Sequence, residues 1–216
     1  MIKAVIFDHD GTLVDSEPVH YQMWCDALAE HGVQLARRFY TERMSGKPTI
    51  DSARLLVETH ALKVTAKALH DSKTERLRHN LQTQPFPLFA ETLPLLEWLR
   101  AREVPMAIAS GAARHEVDSS LEAHKLKPYF KVVSTREDVE HNKPAPDVYA
   151  HAATGLALAP EACLAIEDSD SGQLAATRAG MTCLRLDTFT RLAADERCFV
   201  ISRLEDAQNW LIKHAP

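Results

Sequence analysis

The chain has 216 residues, 45% of them hydrophobic and 25% charged, and carries a formal net charge of -5. That length suits one sizeable core plus a small second domain, and the balance is that of a folded globular protein, not of a disordered tail, a fibrous repeat or a membrane span. The negative charge argues against a protein that coats nucleic acid, because such a protein needs a basic field to displace counterions.

Residues 2 to 7 are short-run, β-branched and aromatic, which predicts a buried strand. It delivers Asp8-His9-Asp10-Gly11-Thr12 to its carboxyl end. Ser16 and Pro18 then mark a helix start, and Val19, Met23, Ala27 and Leu28 recur at helical spacing up to Gly32. Met23 and Trp24 read as core of that helical region, and Asp15 with Ser16 as the group that fixes its first helix. Further helices are predicted at about 37 to 44, 50 to 60 and 65 to 82, the last capped by Thr65. Pro85 and Pro87 punctuate the chain, and the pattern changes there. Leu93, Leu96 and Leu99 mark a helix, and residues 104 to 109 a strand ending in Ser110-Gly111. A helix over about 113 to 124, a short strand at 131 to 134 and a helix over about 146 to 155 follow. A buried strand at 162 to 166 ends in Glu167-Asp168, and 181 to 186 and 199 to 201 read as the last strands. Gly32 and Gly155 read as helix stops, Gly180 as the end of the last helix and Gly172 as its opening.

Strands separated by helices imply an α/β fold with a doubly wound parallel sheet. Residues 1 to 15 and 84 to 216 form this core, and residues 16 to 83 a helical insertion. Cys25, Cys163, Cys183 and Cys198 contain no Cys-x-x-Cys pair, which disfavours a disulfide framework or structural zinc. The apolar run 4 to 7 meets Asp8 and Asp10 long before signal-peptide or membrane-spanning length. A cytoplasmic protein, with neither nucleic acid nor membrane as partner, is expected.

In open α/β sheets ligands bind beyond the carboxyl ends of the strands. Four polar groups fall there: Asp8 with Asp10, Ser110 with Gly111, Lys143 before Pro144, and Glu167 with Asp168. Carboxylate oxygens suit Mg²⁺, which is held by one or two of them while phosphate and water complete its shell. A hydroxyl, backbone N–H groups and a lysine suit phosphate oxygens. Together they describe a phosphoryl-transfer site. The eleven histidines contain no His-Glu-x-x-His or comparable pair.

The stretch Asp8-His9-Asp10-Gly11-Thr12-Leu13-Val14-Asp15-Ser16 resembles the first signature of the haloacid dehalogenase-like superfamily. Ile108-Ala109-Ser110-Gly111 resembles the second, Lys143-Pro144-Ala145-Pro146-Asp147-Val148-Tyr149 the third, and Ile166-Glu167-Asp168-Ser169-Asp170-Ser171-Gly172 the fourth. Four ordered motifs across the whole core make coincidence remote. The helical insertion resembles the cap of the branch that holds sugar-phosphate phosphatases and β-phosphoglucomutase.

The resemblance implies that Asp8 is the nucleophile that becomes an aspartyl phosphate. Asp10 would protonate the leaving oxygen and then deprotonate the attacking water. Mg²⁺ would sit on the side chains of Asp8 and Asp168 and the main-chain oxygen of Asp10, with Glu167 helping through water. Thr12, Ser110, Gly111 and Lys143 would hold the phosphoryl group. The second aspartate, which superfamily dehalogenases lack, favours phosphoryl transfer over dehalogenation.

The cap is expected to choose the substrate by closing over the site, and His20, Gly46, Lys47 and Lys73 are its candidate specificity residues. The β-phosphoglucomutases carry an arginine shortly after the cap-loop glycine, where this chain has Thr49, and a lysine at 47 does not replace a bidentate fork. The expected function is therefore a Mg²⁺-dependent phosphatase of small phosphorylated metabolites, sugar phosphates foremost, acting as a monomer or small homo-oligomer. A hexose-phosphate mutase is the runner-up. A non-catalytic ligand-binding or regulatory relative is the alternative of another class, set against the completeness of the site.

Overall fold

The first strand, β1 (Ala4–Phe7), is buried at every position in a computed structural model of the chain, which describes residues 1–188, 192–193 and 196–214. Four consecutive apolar residues with no polar alternation are what a strand covered on both faces requires.

The chain divides into two compact units, Ser16–Phe86 and Met1–Asp15 with Pro87–Pro216. The division falls just beyond the expected 83/84 because Phe86 is fully buried and its ring lies 5.3 Å from that of His20.

The helical unit holds α1 (Glu17–Ala29), α2 (Arg37–Arg43), α3 (Thr49–Thr59) and α4 (Ala66–Leu81). Ser16 occupies the N-cap position of α1, but its side chain makes no capping bond there, so Pro18 in the first turn is the local signal that starts the helix. Thr65 does cap α4, its hydroxyl accepting from the Ala68 N–H at 3.1 Å. Trp24, Ala27, Leu28, Tyr40, Met44, Leu56 and Leu69 form the unit's apolar centre.

The larger unit continues with α5 (Thr92–Arg100), β2 (Met106–Ala109), α6 (Arg114–Ala123), β3 (Val132–Ser134) and α7 (Asp147–Gly155). Then come β4 (Cys163–Glu167), α8 (Asp170–Arg178), β5 (Thr182–Leu186), β6 (Cys198–Ile201) and α9 (Asp206–His214). In α5 the buried face is Leu95, Leu96 and Leu99, while Leu93 is exposed, so the apolar stripe starts later than the leucine spacing suggests. The sequence reading holds no element at α9. Its buried contacts are only Ala207 and Leu211, one turn apart, too short a stripe to stand out.

The strands form a parallel sheet in the order β3-β2-β1-β4-β5-β6, the doubly wound α/β arrangement expected. Its covering layer is rich in alanine: Ala152 and Ala153 on α7, Ala175 and Ala176 on α8, and Ala4, Ala107, Ala109 and Ala165 on the strands are all fully buried in one cluster. Small side chains let helix and sheet approach closely. Gly155 serves the same end: α7 stops at it, as expected, but its use is close packing, since a Cβ there would lie 2.8 Å from the Val132 side chain. The left-handed residue that turns the chain out of α7 is Ala157, at φ 58°. No helix among the described residues is long and apolar enough to cross a membrane.

Candidate active site

Register builds the site. Phe7 pairs with Ile108 on one side and Ile166 on the other, so β1 ends one residue before its neighbours, and Asp8 stands beside the last strand residues Ala109 and Glu167, after which Ser110 and Asp168 open their loops. The Asp8 N–H continues the ladder by donating to the Ile166 carbonyl at 2.9 Å, and the Ser110 N–H donates to the Ser134 carbonyl at 2.9 Å. Strand order reverses beside β1, which makes this the topological switch point where open α/β sheets bind ligands.

The carboxyl groups of Asp8, Glu167 and Asp168 each offer an oxygen within 4.8 Å of the others. Three acids so close repel unless a cation is present. Lys143 answers part of that charge: its buried ammonium donates to Asp8 Oδ1 and, at 2.6 Å, to Glu167 Oε1. Burial is the largest influence on Asp8 and raises its pKa; Lys143 opposes this, Glu167 and Asp10 add to it, and the result is about 7. For Lys143 burial pulls the other way, but the two carboxylates outweigh it and hold the ammonium more firmly charged than an ordinary lysine.

Glu167 has no exposed surface, and both of its oxygens are committed to the protein. Oε1 also accepts from the Tyr149 hydroxyl at 2.8 Å, while Oε2 accepts from the Asp168 N–H at 3.1 Å, the Ser169 N–H at 3.3 Å and the Ser169 hydroxyl at 3.1 Å. Glu167, the acid expected to help the metal through water, also holds Lys143 and opens the turn into α8 in this geometry. Burial and the neighbouring charge of Glu167 raise the Tyr149 phenol well above its ordinary range, so it stays a donor.

Two glycines make room for these acids. A Cβ on Gly172 would lie 1.9 Å from the Glu167 carboxyl, and one on Gly11 would lie 2.0 Å from Asp168 Oδ2, with Gly11 also at φ +77°.

The remaining candidates sit on loops tied to one another. The Ser110 hydroxyl accepts from the Ala112 N–H at 3.0 Å. Asn142 joins the second and third loops, donating to the Gly111 carbonyl at 3.1 Å and accepting from the Lys143 N–H at 2.8 Å. In the first loop the His9 carbonyl accepts from Leu13 N–H at 2.9 Å and Val14 N–H at 3.2 Å, closing a turn that carries Asp10 and Thr12. The Thr12 hydroxyl is fully buried and has no hydrogen-bond partner among the described residues. A buried unpaired hydroxyl costs free energy unless a ligand completes it.

Of the four cap candidates, His20 and Lys73 meet inside the helical unit, Nδ1 to Nζ at 3.0 Å, and Lys73 lies 5.9 Å above the Trp24 ring. Lys73 is buried, not solvated. Gly46 and Lys47 are exposed in the turn between α2 and α3.

Tyr149, Asn142 and Ser169 join the site without an expected role. Tyr149 was visible as the last residue of the third motif and Asn142 as the neighbour of Lys143, but only the fold shows that both serve Lys143 and its partner. Chemically, an all-oxygen set of close carboxylates fits a hard divalent cation such as Mg²⁺, and the buried Thr12 hydroxyl without a protein partner in a loop that also carries Asp10 fits an oxygen-rich ligand.

The family model of the haloacid dehalogenase-like hydrolases matches residues 5–186. Fructose-1-phosphate phosphatase YqaB of Escherichia coli is 32% identical over 180 residues, 82% of this chain and 93% of that protein. Protein CbbY of Rhodobacter capsulatus is 33% identical over 188 residues, 83% of each. Among solved structures, a CbbY variant of Rhodobacter sphaeroides in complex with xylulose-(1,5)bisphosphate superimposes with a TM-score of 0.77 at 25% identity, covering 92% of this chain and 94% of that one.

Proposed function

Because the chain belongs to the haloacid dehalogenase-like hydrolase family, we propose that it is a Mg²⁺-dependent phosphatase of small phosphorylated carbohydrates, working through an aspartyl phosphate on Asp8. The observation that carries this reading is the contact of Lys143 with Asp8 inside the three-carboxylate cluster, at the carboxyl ends of β1 and β4. A carboxylate held at a fixed point by a buried ammonium is a positioned nucleophile.

In the first step an Asp8 oxygen bonds to phosphorus as the bond from phosphorus to the sugar oxygen breaks, and Asp10 gives its proton to that oxygen. In the second, Asp10 takes a proton from water as the water oxygen bonds to phosphorus and the bond to Asp8 breaks. Thr12, Ser110, the Gly111 backbone and Lys143 hold the phosphoryl oxygens through both steps. Asp8, Asp168 and the main-chain oxygen of Asp10 would hold Mg²⁺, which supplies charge neutralisation to the phosphoryl group when bound.

The names of the curated relatives support a sugar phosphate as substrate, and a xylulose bisphosphate occupies the structural relative. Thr49, the first residue of α3, stands where the mutases carry their arginine, which favours hydrolysis over transfer to a second phosphate site. Substrate choice is assigned to His20 and Lys73, with Gly46 and Lys47. Four cysteines outside any disulfide suit a reducing cytoplasm.

Phosphate release from a panel of sugar phosphates, with Mg²⁺ and with a chelator, tests the reading. Turnover is expected only with the metal, and Asp8→Asn is expected to lower kcat by about 10³-fold or more, the scale seen when a nucleophile is removed. Equal turnover in chelator, or by Asp8→Asn, overturns it.

A further inference from the structure

Between the two aspartates stands His9, whose side chain is 1% exposed and whose Nδ1 lies 3.1 Å from Asp10 Oδ2. An apolar residue would fill a buried position at less desolvation cost than an imidazole, so the polar ring calls for a use. The His9 backbone is fixed at its carbonyl, which receives the Leu13 and Val14 N–H groups that close the turn. The ring is therefore a rigid point from which to hold a neighbour.

We propose that His9 is a positioning residue for proton transfer: Nδ1–H donates to Oδ2 of Asp10, fixes the rotation of that carboxyl, and makes Oδ1 the oxygen that carries the shuttled proton. This rests on the reading of Asp10 as the group that protonates the leaving oxygen. A carboxyl has two nearly equivalent oxygens about one soft torsion, and a proton donor is effective only while the right oxygen faces the departing atom. The imidazole does not touch the substrate. Its proton stays on Nδ1 while the proton on Asp10 Oδ1 moves to the sugar oxygen, the phosphorus–oxygen bond breaks and the bond to Asp8 forms.

Three variants and two substrates test this. Asparagine places its side-chain N–H near the position of Nδ1, glutamine near that of Nε2, and leucine offers no donor. Fructose 1-phosphate has a poor leaving group that needs its proton, whereas 4-nitrophenyl phosphate releases a stable phenolate that does not. The readout is kcat/KM, which reports the step in which the leaving group departs. For His9→Leu a loss of about 10- to 100-fold is expected on fructose 1-phosphate, the usual scale for a displaced supporting residue, with less than about threefold on the nitrophenyl ester. His9→Asn is expected to recover most of the loss and His9→Gln little.

Equal losses on both substrates, no loss in His9→Leu, or recovery by glutamine as good as by asparagine each overturn the inference. Asp10→Asn, assayed alongside, separates it from its premise. If Asp10→Asn is inactive while His9→Leu matches the parent, only the role of His9 falls. If Asp10→Asn hydrolyses fructose 1-phosphate as the parent does, the assignment of Asp10 falls and His9 goes with it.

Discussion

The side chains of this site do two kinds of work, and substitutions separate them. Thr12 holds a buried hydroxyl without a protein partner, so Thr12→Val removes a desolvated group and is expected to leave the thermal midpoint unchanged or higher, while kcat/KM falls by about tenfold or more. Tyr149 does the opposite. Its hydroxyl serves Glu167, and Tyr149→Phe is expected to cost about 1–3 kcal/mol in urea unfolding, because one side of a buried charged acceptor loses its donor. The raised pKa of Asp8, about 7 without a cation, gives a third prediction. A divalent ion must displace the Asp8 proton below that pH, so Mg²⁺ affinity measured by calorimetry is expected to be roughly tenfold weaker at pH 6 than at pH 8. A pH-independent affinity would show that Asp8 is ionised throughout. The acid pairs at 8/10 and 167/168 were legible because a short apolar run leads into each, and Lys143 because it opens a Lys-Pro motif. The division of labour among them was not: a glutamate beside an aspartate reads as helping the metal through water, and only the bonds from Tyr149, Ser169 and Lys143 show that it also clamps the lysine.

Elements decide how closely those side chains are brought together. Strands β1, β2 and β4 were readable from composition, and their register, which no local pattern encodes, aligns the strand ends that carry Asp8, Ser110 and Glu167. Helix α8 opens against Glu167 at a distance only glycine permits. Gly172→Ala is expected to displace the carboxyl, lower kcat by about 100-fold and destabilise by about 1–3 kcal/mol, whereas an alanine in an open helical site would stabilise. Activity and urea unfolding of the variant check both halves. In the helical unit the Thr65 cap was legible because threonine at a helix start has one local use, while the burial of Lys73 was not, because a lysine at helical spacing normally lies in solvent.

At the scale of the molecule, the parallel sheet and its alanine-rich covering set the tolerance of the core. Ala176→Leu is expected to overpack the layer between α8 and the sheet and lower stability by about 1–3 kcal/mol, read as a shifted urea midpoint. The fold class followed from the alternation of elements, but the alanine layer carried no signal of its own, since buried and exposed alanines look alike in a sequence. The places where the chain leaves and re-enters the larger unit are themselves fastened together: the Asp15 N–H donates to the Pro87 carbonyl at 2.8 Å, and Val14 pairs with Leu88. The stitch makes the excursion of residues 16 to 86 a loop whose two ends already meet, so its length and content place no strain on β1 or on the acids beyond it. A different insertion could be grafted at the same pair of residues without unpicking the sheet, and under the proposed function the acids at the strand ends and the residues proposed to choose the substrate are separately exchangeable parts.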